Sequence, residues 1–159
     1  MFIIGIAIKG CIRIIGRCLA ASVLLAIMGQ SLGKAQEAKC QNSTVADAWG
    51  PKIAEQAKSF LTELQKAVES NDAAKVARLV QYPVSVYGTG RQSKISRESD
   101  FIQKYSSIIT PKVRKAILSQ SAEYLFGNYQ GMMIGRGYIW FQPEANGRMR
   151  IITINTDAP

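Results

Sequence analysis

The stretch GMMIGRGYIWF, residues 131–141, admits two incompatible readings. Three glycines within seven residues suit a loop whose backbone N–H groups cradle a phosphate. The alternation of small and large residues equally suits a β-strand with gaps in one row of side chains. The residues after the glycines decide between them. A dinucleotide-binding GxGxxG comes after one strand and opens a helix, whose N-terminus receives the phosphate. Here Gly135-Arg136-Gly137 runs into Tyr138, Ile139, Trp140 and Phe141, and Trp140 stands where the third glycine belongs. Aromatic and β-branched residues suit a strand. No Walker-type GK[ST] occurs in the chain. The stretch therefore reads as strand, from Gly131 to Gln142, and no cofactor is expected.

Strand side chains alternate between faces. Gly135, Gly137, Ile139 and Phe141 then share one face, and Arg136, Tyr138 and Trp140 the other. If PEANG (143–147) turns a hairpin that pairs Gln142 with Arg148, Phe141 opposes Met149, Ile139 opposes Ile151 and Gly137 opposes Thr153. On the other face Trp140 opposes Arg150, Tyr138 opposes Ile152 and Arg136 opposes Ile154. A one-residue slip would invert every assignment. The glycine gaps on the apolar face have two uses, a close approach by a helix or an opening for a ligand. The polar face gathers Arg136, Tyr138, Trp140, Arg148 and Arg150, residue types enriched at protein interfaces. It is either a self-covered sheet face or an interaction surface for a protein partner, with a homodimer through that face as one form.

Upstream the pattern is helical. Pro51 suits a first helical position, and Ile53, Ala54, Ala57, Phe60, Leu61, Leu64, Ala67 and Val68 recur at three-and-four spacing. Asn71 is placed to stop this helix and cap AAKVARLV, which Pro83 ends. PVSVYG alternates as a strand that Pro83 begins, at a sheet edge, and GTGRQ turns it. Ser96 is placed to cap a helix carrying Phe101, Ile102, Tyr105, Ile108 and Ile109. Thr110-Pro111 opens another. Segregated helices and closing strands predict an α+β fold, with helices on one face of a curved antiparallel sheet.

The remainder of the chain bounds the chemistry and the compartment. There are no histidines among the 159 residues. This excludes Ser–His–Asp and Cys–His nucleophile pairs, HExxH zinc sites and two-His-one-carboxylate iron sites, so no metal site is expected. Lys9, Arg13 and Arg17 precede CLAASVLLAIM, residues 18–28, an uncharged run shorter than the ~20 residues of a membrane-spanning helix. With Gly33-Lys34-Ala35 after it, residues 1–35 read as an export signal cleaved after Ala35; an uncleaved anchor is the other reading. Residues 36–50 read as a polar arm and 51–159 as one domain, in a periplasmic or extracellular protein. Removal of 1–35 leaves 16 basic against 11 acidic residues, a charge of +5, with Cys40 as the remaining cysteine. That charge does not by itself indicate nucleic acid, and membrane contact is expected through the signal segment alone.

The order of elements resembles the nuclear transport factor 2-like superfamily. The carrying residues are FLTELQKAVESNDAAKVARLVQYPVSV (60–86), DFIQKY (100–105) and LFGNYQGMMIGRGYIWF (125–141). The resemblance implies a cone, a bent sheet wrapped around the long helix from Pro51. Its enzymes, similar to ketosteroid isomerase or scytalone dehydratase, place Asp, His or Tyr inside the cone. Without histidine, the version open to this chain is a carboxylate with a tyrosine donor, drawn from Asp100 or Glu123 with Tyr87, Tyr105 or Tyr124 around a pocket. Three functions are consistent with it: a non-catalytic exported domain binding a small apolar ligand or a protein partner, a metal-free isomerase or dehydratase, or an inhibitor or immunity-like protein. Mass spectrometry of the exported chain is expected to find Gln36 at its N-terminus; an intact Met1 contradicts the cleaved signal.

Overall fold

The computed structural model describes residues 44–158, so the export segment, Cys40 and residues 36–43 of the arm lie outside the described residues. The end of the expected arm is a helix, α1 (Val45–Trp49). Thr44 caps it reciprocally: its Oγ1 accepts from the Asp47 N–H at 3.3 Å, and the Asp47 carboxylate accepts from the Thr44 N–H at 3.0 Å. Hydrogen bonds from Thr44, the side-chain one foremost, hold the Asp47 carboxyl below its ordinary pKa. A single turn and a half carries no readable periodicity; tertiary contacts hold it. Val45 is buried, and the Trp49 indole N–H donates to the Asn128 carbonyl at 2.7 Å.

Helix α2 (Pro51–Glu69) follows the expected stripe, burying Ala57, Phe60, Leu61, Leu64, Ala67 and Val68. Asn71 stops it by a different means from a side-chain cap. Its φ is +53°, its N–H bonds the Val68 carbonyl at 3.1 Å, and the Asp72 N–H bonds the Ala67 carbonyl at 2.9 Å. This is the Schellman arrangement, which asparagine tolerates in the left-handed region. Asp72, one residue later, caps α3 (Ala73–Arg78) by accepting from the Lys75 N–H at 2.9 Å. The helix expected from Ser96 begins instead after Arg97 and breaks at Lys104 into α4 (Glu98–Gln103) and α5 (Tyr105–Ile108). Thr110 and Pro111 open α6 (Pro111–Ser119) as expected, the Thr110 hydroxyl accepting from the Val113 N–H.

Six strands form one sheet in the order β2-β1-β6-β5-β4-β3: β1 (Val80–Gly88), β2 (Arg91–Ile95), β3 (Phe126–Asn128), β4 (Gly131–Ile134), β5 (Ile139–Pro143) and β6 (Met149–Asn155). The fold is α+β, but the sheet is mixed, because β1 and β6 run parallel and every other pair antiparallel. Strand β1 is therefore interior to the sheet and not the edge strand that Pro83 suggested. Pro83 is tolerated there because it pairs on neither side: the β2 ladder starts at Val84, and the β6 ladder is irregular between Val80 and Ser85. The edge is β2, whose Arg91 and Lys94 are exposed and discourage further pairing.

The largest correction falls on GMMIGRGYIWF. It is not one strand but two, β4 and β5, pairing antiparallel through Met132 with Phe141 and Ile134 with Ile139. Gly135, Arg136 and Gly137 reverse the chain with φ of +61°, +59° and +102°. Two glycines supply the left-handed backbone that such a turn requires. The helix meeting Gly135 is α6, not α2: a Cβ built there would lie 2.5 Å from the Ala116 Cβ. At Gly137 the same atom would find nothing nearer than the Met133 sulfur at 3.8 Å.

The β5–β6 register also differs from expectation. Gln142 pairs with Arg150 and Phe141 with Ile151, a two-residue slip that preserves the faces. An irregularity past Phe141 then pairs Trp140 with Thr153 and Ile139 with Ile154. Ile154, expected on the outer face, is turned into the core and is fully buried. One sheet face, with Val84, Val86, Met132, Ile134, Ile139, Phe141, Ile151 and Ile154, is thus packed under the helices. The Phe60 ring of α2 stacks on Phe141 with centroids 4.8 Å apart. Gly135→Val is expected to destabilise the domain by ~1–3 kcal/mol through overpacking against Ala116, added to an unfavourable φ. Urea unfolding checks it, and an unchanged midpoint contradicts the packing of α6 on the β4–β5 turn.

Candidate functional site

The sheet face opposite the core carries one cross-strand row. Register places Lys94 beside Ser85, Ser85 beside Thr153, Thr153 beside Trp140, Trp140 beside Met133, and Met133 beside Phe126. The row crosses all six strands, and its β3–β5 end is three large apolar side chains. Trp140, Met133 and Phe126 are each half-buried by their neighbours. Polar residues flank them: Gln142 and Arg150 on one side, Tyr87 and Asn155 on the other. Beside Trp140 lies a shallow depression of ≈ 240 Å³ lined also by Tyr87, Gln130, Ile152 and Thr153. An apolar centre with a polar rim is the anatomy of a protein interface.

The residues expected on this surface are divided by the β4–β5 turn. Trp140 and Arg150 lie on the outer face, though not opposite each other, since Arg150 pairs with Gln142 and its guanidinium approaches Glu144 at 3.8 Å. Arg136 is exposed in the turn, and Tyr138 packs against the core cluster while its carbonyl accepts from the Asn155 N–H at 2.8 Å. Arg148 is exposed just before β6. Met133 and Phe126 were not among the expected residues. Their signal was present in the alternation of Met133 with Met132 and Ile134, but it is readable only once β4 and β5 are known to be separate strands.

The tyrosines expected around a pocket lie in three separate places. Tyr87 is on the outer face, its hydroxyl accepting from the Gln92 amide at 3.0 Å, and Tyr124 is 80% exposed in a short 3-10 turn. Tyr105 is in the core, and its hydroxyl is buried without a hydrogen-bond partner. Burial raises its pKa, the nearby Asp72 adds to the rise, and Arg114 opposes it. Tyr82, which the sequence did not single out, has its pKa raised chiefly by burial and donates its hydroxyl proton to the Ala77 carbonyl at 3.0 Å.

Neither candidate carboxylate enters the core. Asp100 is held by Arg97, with 3.3 Å between Nε and Oδ2, and Glu123 is exposed. No charged or polar residue is buried among the described residues. Among the same residues, no three carboxylate or thiol side chains are grouped to hold a metal ion. Comparison with protein-family models, with curated proteins and with solved structures finds no match for the chain. Because the Tyr105 hydroxyl lacks a partner, Tyr105→Phe is expected to leave the thermal midpoint unchanged or raise it. A loss above about 1 kcal/mol would show that the hydroxyl serves a bond in the folded protein.

Proposed function

We propose that this is an exported, non-catalytic interaction domain of the nuclear transport factor 2-like cone type, and that it associates through the outer sheet face. The observation that carries the reading is the Trp140–Met133–Phe126 row, an apolar strip whose three side chains each keep part of their surface exposed. A second copy of the chain is the simplest occupant, because two such faces are self-complementary about a twofold axis.

Two features support the cone. The strand order carries the parallel β1–β6 pair near its centre, and α2 lies against the inner face through Phe60 and Phe141. Export rests on the charged, apolar and small-residue segments of residues 1–35. The interior argues for a protein partner over a small apolar ligand: it is filled by stacked and interdigitated side chains, with Phe101, Phe141, Leu61 and Leu64 fully buried. The isomerase or dehydratase reading needs a carboxylate facing a tyrosine, and Asp100, Glu123 and Tyr105 do not supply that pair. An inhibitor or immunity-like role would use the same outer face.

Sedimentation velocity tests the proposal. The purified protein is expected to move from monomer to dimer as its concentration rises, while Trp140→Lys stays monomeric with an unchanged thermal midpoint. A wild type that remains monomeric throughout rejects self-association through this face.

A further inference from the structure

On the helix side of the sheet, a groove of ≈ 600 Å³ runs between α2 and the start of β6. Its walls carry opposite charge. Glu55 and Glu63 of α2 stand on one side, and Arg78, Arg148 and Arg150 on the other. These walls do not close on each other. Glu55 pairs with Lys58 at 2.7 Å and Arg150 with Glu144 at 3.8 Å, while Glu63, Arg78 and Arg148 have no ion-pair partner among the described residues. Phe60, Leu79 and Met149 form an apolar floor. Gln56 lines the same groove, and its Oε1 is buried with no hydrogen-bond donor.

We propose that this groove binds a short peptide with free ends, its carboxylate on Arg78 and Arg148 and its ammonium toward Glu63. The charge pattern selects the class. A bare anion would meet the glutamates, and a bare amine would meet three arginines; a ligand with both signs at its two ends satisfies both walls. Arginine's planar fork suits a carboxylate. The groove is open to solvent, and its apolar floor suits an apolar side chain between the two charged ends. The groove shares none of Trp140, Met133 and Phe126 with the outer face, so peptide binding here and association there stand or fall separately.

Isothermal titration of the full chain with alanyl-leucyl-alanine tests it. Saturable binding is expected for the free-ended tripeptide, weakened at least about tenfold by C-terminal amidation or N-acetylation. Arg78→Gln with Arg148→Gln is expected to weaken the free peptide by a similar factor and to remove the discrimination against the amidated one. Both arginines are exposed, so the variant's thermal midpoint is expected to match wild type. Equal binding of free and doubly blocked peptides overturns the proposal, as does the absence of saturable heat up to about 10 mM. Unchanged affinity in the double variant overturns the assignment to this groove.

Discussion

Three consecutive residues with positive φ, Gly135 to Gly137, set the geometry on which the rest of the sheet depends. They turn the chain back on itself, so that Met132 and Ile134 face Phe141 and Ile139 across a ladder instead of lying along one strand. The same turn is met by Ala116 of α6, which ties that helix to the sheet. Without the left-handed backbone, β4 and β5 would be one strand, and Trp140 would have no Met133 beside it. Both faces result from this reversal. The inner one receives α2 and is filled, and the outer one gains a row of large apolar side chains.

That division sets a packed sheet face apart from a part-exposed one. The inner face buries Ile139, Phe141, Ile151 and Ile154 under helices, with the Phe60–Phe141 stack at the contact. Close packing of this kind supplies the driving force for folding but leaves little room for a ligand or a catalytic pair. Polar chemistry lies at the periphery: helix caps at Thr44, Asp72 and Thr110, the Arg97–Asp100 pair, and the charged groove beside β6. Arg148 lines that groove before β6 begins, and Arg150, on the outer face by register, lines it as well, so the arginines and aromatics that adjoin in sequence are spread over more than one surface.

What could be read from the sequence was local and strongly periodic. The stripe from Ala57 to Val68 described α2, and Thr110-Pro111 marked the start of α6, because caps and amphipathic spacing are short-range physics. The elements that escaped depend on distant partners. Strand β2 is polar along most of its length and exists through its ladder to β1. Helix α1 is held by Gly127 and Asn128, more than seventy residues away. Ile154 changes face because one irregularity in the β5–β6 ladder shifts the parity, which alternation alone does not reveal. The glycines of GMMIGRGYIWF were read as gaps along one strand, and their use as a reversal required knowledge of φ. Consequently Trp140 was readable as a surface residue, whereas its neighbours Met133 and Phe126 were not.

If the Trp140–Met133–Phe126 row is the surface this domain uses, its three side chains are covered together when the protein associates. Hydroxyl-radical footprinting across a range of protein concentrations reads this residue by residue. The three residues are expected to lose labelling together as concentration rises, while Ile102 of α4, 39% exposed, stays labelled. Constant labelling of the row at every concentration, or protection of Ile102 in its place, would refute the use of this face.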